Sequence, residues 1–441
     1  MKSTHFYLYM IAFTIVAAFT DCGNVNDFPD LGESKYTEPS GILPPGSSED
    51  DEEGGEMTPG IELEDDIVPD ETPLASEGEI TLKAADGGMF KDFLYNFTYD
   101  DETGDYDSEY PPTSYFNAST QEWVKGVKTI LVTYSDGGIT LDYKNKDGVQ
   151  KGESGIKSED FEITKNGAHL TIKAHTKCNY ILQGSTANGS FKLYSDKKFI
   201  VTMKGVSITN PNGSAINIQK GRDDDGILTG KRGFFVVYNN TKNYLTDGAS
   251  YDTPADEDQK GVIFSEGKLC FSGSGYLCIN GKGKHGIATD DYIYLHKGPQ
   301  ITINASANND GIKAKDGIYI GGGVLNITCS GNAARGMNTD NIMVVSGGRN
   351  TVINTSEPFT DAITNVTSQP YCIKADQSMT MTGGALVLSA SKKGGNGIFV
   401  GDVFNLQDGI VKMVIKEKPL TYKALNRTGG TLYINGIMVN D

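Results

Sequence analysis

Apolar residues alternate along the C-terminal two thirds of this chain, two apart rather than three or four. Ile293 and Leu295, Ile318 and Ile320, Met343 and Val345, Met379 and Met381, and Phe404 and Leu406 form successive pairs. Alternate residues of a strand share a face, so each pair points inward together. A second set, Leu325, Ile327 and Cys329, then Leu386, Leu388 and Ala390, predicts another strand in the same repeat. Glycine-rich corners separate the two, at Gly321-Gly322-Gly323, Gly347-Gly348 and Gly383-Gly384. No helical period runs through these segments.

The pairs hang on a shorter motif of glycine, an aliphatic residue, a variable residue and a small one. It begins at Gly261, Gly286, Gly311, Gly336, Cys372 and Gly397, at spacings of 25, 25, 25, 36 and 25. A fixed period of this length marks a repeat architecture. Three short strands and three turns in 25 residues predict one coil of an all-β parallel β-helix over residues 129–441. Stacked coils lie about 4.8 Å apart and align like residues in ladders. Composition agrees: 54 of the 441 residues are glycine, 37% are hydrophobic and tryptophan occurs once.

Charge divides the chain. Gly23 to Ile80 holds 18 acidic residues and one basic residue, Lys35, and so carries nearly all of the net charge of -18. Residues 23–76 are expected to be a disordered acidic linker, too polar and too charged to offset the entropy of ordering. Ahead of it, Tyr9 to Phe19 is apolar and of signal-peptide length, with Cys22 directly after. Residues 1–22 predict a signal peptide of lipoprotein type. Cys22 is then the lipidation site, and the protein is exported and anchored to the outer membrane or cell surface, although Asp21 departs from the small residues that signal prefers. Residues 77–128 are a cap or extension. The near-neutral repeat region carries no basic footprint, which excludes a nucleic-acid partner, and a monomer is expected.

Three stretches make the repeat region look familiar. They are Gly205-Val206-Ser207-Ile208-Thr209-Asn210 with Ser214-Ala215-Ile216, then Asn243-Tyr244-Leu245-Thr246-Asp247-Gly248, then His285-Gly286-Ile287 with Asp310-Gly311-Ile312-Lys313. With them, residues 129–441 resemble the exported bacterial carbohydrate-binding domain-containing family. That resemblance implies a right-handed parallel β-helix shaped like pectate lyases, binding cellulose-like or acidic pectic polysaccharide, with calcium on the helix.

Candidate chemistry collects at one corner. Asp290, Asp291, Asp316, Asp340, Asp376 and Asp402 stand four or five places after the motif position, and Asp310 immediately precedes Gly311. Stacked carboxylates repel unless a cation sits among them, and calcium takes six to eight oxygens. The competing reading is that Asp favours such turns by bonding its own backbone. Asp223-Asp224-Asp225-Gly226 reads as a solvated turn or a second calcium loop. For sugar, the outward Tyr294 and Tyr319 offer flat faces to pyranose rings, and outward Lys313 and Lys374 can pair with uronate carboxylates. A tyrosine pair can equally serve the sheet. Cys270 and Cys278 flank a corner at which a disulfide is possible.

The reading is therefore an exported, calcium-stabilised, non-catalytic binder of polysaccharide. The alternatives are a calcium-dependent polysaccharide lyase on uronate chains, with Lys313, Lys315 and Arg335 as conceivable bases, and a structural adhesin that binds protein.

Overall fold

A computed structural model describes residues 128–439, apart from 146–147, 151, 154, 224, 297 and 307. It also describes four two-residue strands, Tyr99–Asp100, Asp105–Tyr106, Phe116–Asn117 and Glu122–Trp123. The chain divides into Met1–Asp65 and Asp66–Asp441. The signal peptide, Cys22, the acidic linker and most of the expected cap lie outside the described residues.

The described residues are all-β, as the alternation predicts. Two large sheets, of twenty and twelve strands, are built almost wholly from parallel pairs. Each circuit of chain contributes three strands. Tyr292–Leu295 and Gln300–Ala305 join the larger sheet, and Ile312–Ala314 joins the smaller one. Every strand then pairs with its equivalent one circuit later: Tyr294 with Tyr319, Ile303 with Ile327, and Ile287 with Ile312. Antiparallel hairpins close the N-terminal end, where Lys128–Ser135 pairs with Gly138–Asn145, and Phe161–Asn166 pairs with Ala168–Ala174.

The apolar pairs read from the sequence line one continuous core. Ile293, Leu295, Ile318, Ile320, Met343 and Val345 belong to it, as do Leu325, Ile327, Leu386 and Leu388 from the second strand. The motif glycine has a steric cause. A Cβ at Gly286 would lie 2.3 Å from Ile303 Cγ2, one at Gly311 2.4 Å from Ile327 Cγ2, and one at Gly336 2.3 Å from Val352 Cγ1. The backbone of the smaller sheet therefore rests directly on β-branched side chains of the larger one.

The stretches that carry the family resemblance are structural clips. Asn243 Oδ1 accepts from the backbone N–H groups of Gly205 and Val206, across a register shift in the ladder. Asp247 is buried and accepts from the N–H groups of Lys282, Gly283 and Lys284 and from the Tyr251 hydroxyl. A Cβ on Gly248 would meet the Pro211 carbonyl oxygen at 1.9 Å.

Overpacking a tight core typically costs about 1–3 kcal/mol. Gly311→Ala is therefore expected to lower the urea midpoint by that equivalent. Gly137→Ala, whose Cβ would meet nothing nearer than 3.8 Å, should stay within about 0.5 kcal/mol of wild type. Equal effects of the two would disconnect the motif glycine from core contact.

Candidate functional site

The expected carboxylate ladder is split over two rows. Asp291, Asp316 and Asp402 occupy one row, interrupted by Asn341 and Gln377, through the bonds Asp316 N–H to Asp291 O and Asp402 N–H to Gln377 O. Asp290, Asp340 and Asp376 occupy the row before it, interrupted by Lys315. Lysines then compensate them. Lys260 contacts Asp290 at 2.6 Å, Lys313 pairs with Asp340, Lys374 with Asp376, and Lys423 reaches Asp402 at 3.6 Å. Asp291 and Asp316 stand on adjacent rungs of one row, as Asp340 and Asp376 do in the other, where each has its lysine; burial holds the Asp291 carboxyl above its ordinary range. Among the described residues no three His, Cys, Asp or Glu side chains converge to hold a metal ion. At the second acidic patch, Asp223 Oδ1 accepts from the N–H groups of Asp225 and Ile227, so this turn bonds its own backbone.

Asp310 sits apart from that corner, 2% exposed. Its Oδ1 accepts from the Arg335 backbone N–H at 2.8 Å and its Oδ2 from Asn338 Nδ2 at 2.7 Å. Its own N–H donates to His285 Nδ1 at 2.8 Å. That bond makes Nδ1 an acceptor and fixes the neutral ring with its proton on Nε2. Burial, partly opposed by Asp310 and reinforced by Lys313, Lys284 and Arg335, lowers the His285 pKa. Asp310 thus ties three circuits together.

The tyrosine pair is a correction. Tyr294 and Tyr319 meet at 4.5 Å between ring centroids with their planes tilted by 46°, as neighbours in one ladder, yet each is only 2% exposed. Tyr319 Oη bonds Ser346 Oγ at 3.0 Å, and Tyr294 meets His296 edge-on. They also belong to the larger sheet, whereas Lys313 and Lys374 belong to the smaller one. The four proposed sugar contacts do not converge. Cys270 is not in a disulfide, so it does not pair with Cys278.

An aromatic surface does exist beside the lysines. On the smaller sheet, Tyr371 and Phe399, both partly exposed, lie 5.6 Å apart, and Lys374 Nζ stands 5.8 Å from the Phe399 ring. Next to them opens a groove of about 570 Å³ lined by Tyr371, Asn396, Glu357, Glu417, Lys393 and Lys418 among others. Earlier circuits of this face are covered by the loop after Gly248. Glu257 bonds Lys192 at 2.7 Å and also Tyr194, while the Asp258 carbonyl accepts from Gln219. Sequence reasoning missed Tyr371 and Phe399. The signal was the long stride from Gly336 to Cys372, which marks the insertion beside Tyr371.

An all-β stack with one sheet face covered at its start and grooved further along is a repeat protein with a lateral surface. A family model described as "Carbohydrate-binding domain-containing protein" matches residues 166–436. The chain belongs to that family. A solved structure, that of the polysaccharide lyase-like protein from C. thermocellum in a gadolinium derivative, is similar at 18% identity over 69% of this chain and 99% of its own, with a TM-score of 0.43. No curated protein matches.

The His285 environment sets a pH dependence. Its folded pKa lies below the ordinary value of 6.5, so the unfolded chain takes up the proton first. The contribution is intact above pH 6.5 and is lost as pH falls from there toward the folded pKa. His285→Gln, which keeps an acceptor for the Asp310 N–H, is expected to lose less stability than wild type between pH 7.5 and pH 5. Urea midpoints at the two pH values measure it, and parallel losses in both proteins would refute the assignment.

Proposed function

We propose that this chain binds polysaccharide along the open part of its smaller sheet and holds it without cleaving it. The observation that carries this reading is the partly exposed Tyr371–Phe399 pair on adjacent rungs, with Lys374 over Phe399 and the groove beside it. Aromatic faces pack against the apolar faces of sugar rings, and the groove supplies amide, carboxylate and ammonium groups for the hydroxyls. Membership of a carbohydrate-binding family supports the same reading. Stacked rungs repeat the same groups at a fixed spacing, which suits a polymer better than a single sugar. Lys313 and Lys374 remain in the site as cations for uronate carboxylates. In this reading the stack is a right-handed parallel β-helix, the usual hand of parallel crossovers. The protein is exported, with Cys22 lipidated, residues 23–76 serving as its tether and no protein partner required.

The lyase alternative needs a base, and two of the three candidates, Lys313 and Arg335, are engaged. Lys313 is ion-paired with Asp340, and Arg335 lies 3.7 Å from Asp310. His285 already spends Nδ1 on a backbone N–H. A base must reach the substrate proton before its pKa matters.

Calcium stays in this reading only as a weak ligand of Asp291 and Asp316. A site half filled in millimolar calcium adds about 0.4 kcal/mol. Melting temperatures in EDTA and in calcium are therefore expected to agree within about 2 °C. A larger rise, absent in Asp316→Ala, would restore the full calcium site.

Affinity electrophoresis against cellulose-like and pectic polysaccharides tests the binding face. Tyr371→Ala is expected to weaken retention at least tenfold, about 1.4 kcal/mol, with its melting temperature recorded as a control. No ultraviolet absorbance from unsaturated uronate product should accumulate on long incubation. Undiminished retention in Tyr371→Ala would move the site elsewhere. Absorbance that rises in wild type and not in Lys313→Ala would make the protein a lyase.

A further inference from the structure

Asp310 is the anion beside Arg335, yet its oxygens are spent on other donors. They accept from the Arg335 backbone N–H at 2.8 Å and from Asn338 Nδ2 at 2.7 Å. Arg335 Nη1 stands 3.7 Å from Asp310 Oδ1, near enough to balance its charge and past hydrogen-bond reach. Arg335 Nε is buried and donates to nothing, and Asn338 Oδ1 is buried and accepts from nothing. Asn338 as a whole is 4% exposed. Native proteins seldom leave a buried polar atom unmet. Here a donor and an acceptor are unmet together, on the one strand Arg335–Thr339 and against the two oxygens of one carboxylate.

Both groups adjoin the groove. Arg335 pairs in register with Tyr371, and Tyr371 with Asn396. Tyr371 and Asn396 line the groove, so Arg335 occupies the next rung, about 4.8 Å beyond Tyr371. Asn338 shares an outward row with Lys313 and Lys374. Both lysine arms are drawn to Asp340 and Asp376, in exposed pairs that cost little to shift.

We propose that Arg335 and Asn338 form a second sugar subsite, which reads neighbouring ring hydroxyls of the sugar next to the one packed on Tyr371. A hydroxyl both donates and accepts, so such hydroxyls accept from the guanidinium and donate to Asn338 Oδ1. A uronate carboxylate accepts only. It would meet Arg335, leave Asn338 unmet and stand beside the buried Asp310 carboxylate. The subsite therefore selects hydroxyls and not charge, and it takes neutral and uronate polymers alike. Water fills the same role in the free protein, and the sugar hydroxyls replace its bonds. Arg335 is well prepared for this, since Asp310 anchors its backbone and its planar fork loses little freedom per bond formed. The inference rests on the polysaccharide reading above and adds to it the rung beyond the groove and the sugar group selected there.

Isothermal titration of the full chain with hydroxyethylcellulose, which is uncharged, and with polygalacturonate, each in low and in high salt, tests it. Wild type is expected to bind both polymers. Arg335→Met, which keeps a long stem and no donor, should weaken both about tenfold, by the same factor at either salt. A loss confined to polygalacturonate, or one that disappears in high salt, would make Arg335 a reader of carboxylates and overturn the subsite. Unchanged affinity in Arg335→Met beside a loss in Tyr371→Ala would overturn this inference alone and leave the binding face standing. Wild type that binds neither polymer would sink both. Should Arg335→Met fail to fold, phenylglyoxal modification of wild type decides, with modified arginines assigned by peptide mass mapping. With hydroxyethylcellulose about tenfold above its dissociation constant, mass action should slow modification of Arg335 roughly tenfold. Arg349, exposed on the larger sheet, should react at its original rate. Equal rates at Arg335 with and without polymer would reject the subsite.

Discussion

Contact between one sheet's backbone and the other sheet's branched side chains governs this molecule. At Gly286, Gly311 and Gly336 the chain passes so near Ile303, Ile327 and Val352 that a single added carbon has no room. That distance sets the width of each circuit, and the width sets the number of residues needed to close it. A circuit of constant length brings like residues into register, so one steric limit is copied along the stack as a period. Cys372 stands at the equivalent place where the stride changes, and there a side chain is accommodated. The glycine motif is thus a core-packing signal that happens to be written on the backbone.

Much of the fold was legible because that limit repeats. The inward positions follow from alternation alone, and Ile293, Ile318, Met343, Met379 and Phe404 all lie in the core. What alternation cannot say is whether an outward residue meets water. Tyr294 and Tyr319 have the outward phase and are nevertheless buried, since phase fixes direction and not what lies beyond. The carboxylates failed differently. A place four residues after the motif glycine and a place five residues after it belong to different rows, so Asp316 and Asp340 do not align. A ladder argument holds only to the nearest residue, and one residue separates a row of like charge from a row interleaved with lysine.

Electrostatics on the smaller sheet follow from that interleaving. Lys313 and Lys374 share one outward row with Asn338 between them, and each reaches a carboxylate of the adjoining corner. Pairs this exposed add little stability, but they spread both signs over the face. Such a face attracts no ion of one sign strongly. It presents donors and acceptors at the rung spacing, a pattern that a chain of hydroxyl-bearing rings can meet without large desolvation. The buried Asp310 network does the opposite work, holding His285, Arg335 and Asn338 in fixed orientation beneath that surface.

A perfectly regular stack has no concave place, because every circuit repeats the outline of the last. Concavity requires a break in the stride. The break here is the 36-residue interval between Gly336 and Cys372, longer than its neighbours by eleven. The added chain leaves the stack as the hairpin Phe359–Thr360 with Thr367–Ser368, and the residues at its foot, Glu357, Pro358 and Gln369, wall the groove beside Tyr371. Opposite them, Gly394 has no room for a Cβ against Pro358, so hairpin and facing loop meet at van der Waals contact. The hairpin tip holds Ile363 almost fully in solvent, on a turn that Asp361 ties through Ile363 and Thr364. Regular circuits supply the flat, repeating surface, and this irregular circuit supplies a wall. The irregularity therefore places the groove at Tyr371 rather than at any of the more typical repeats before it.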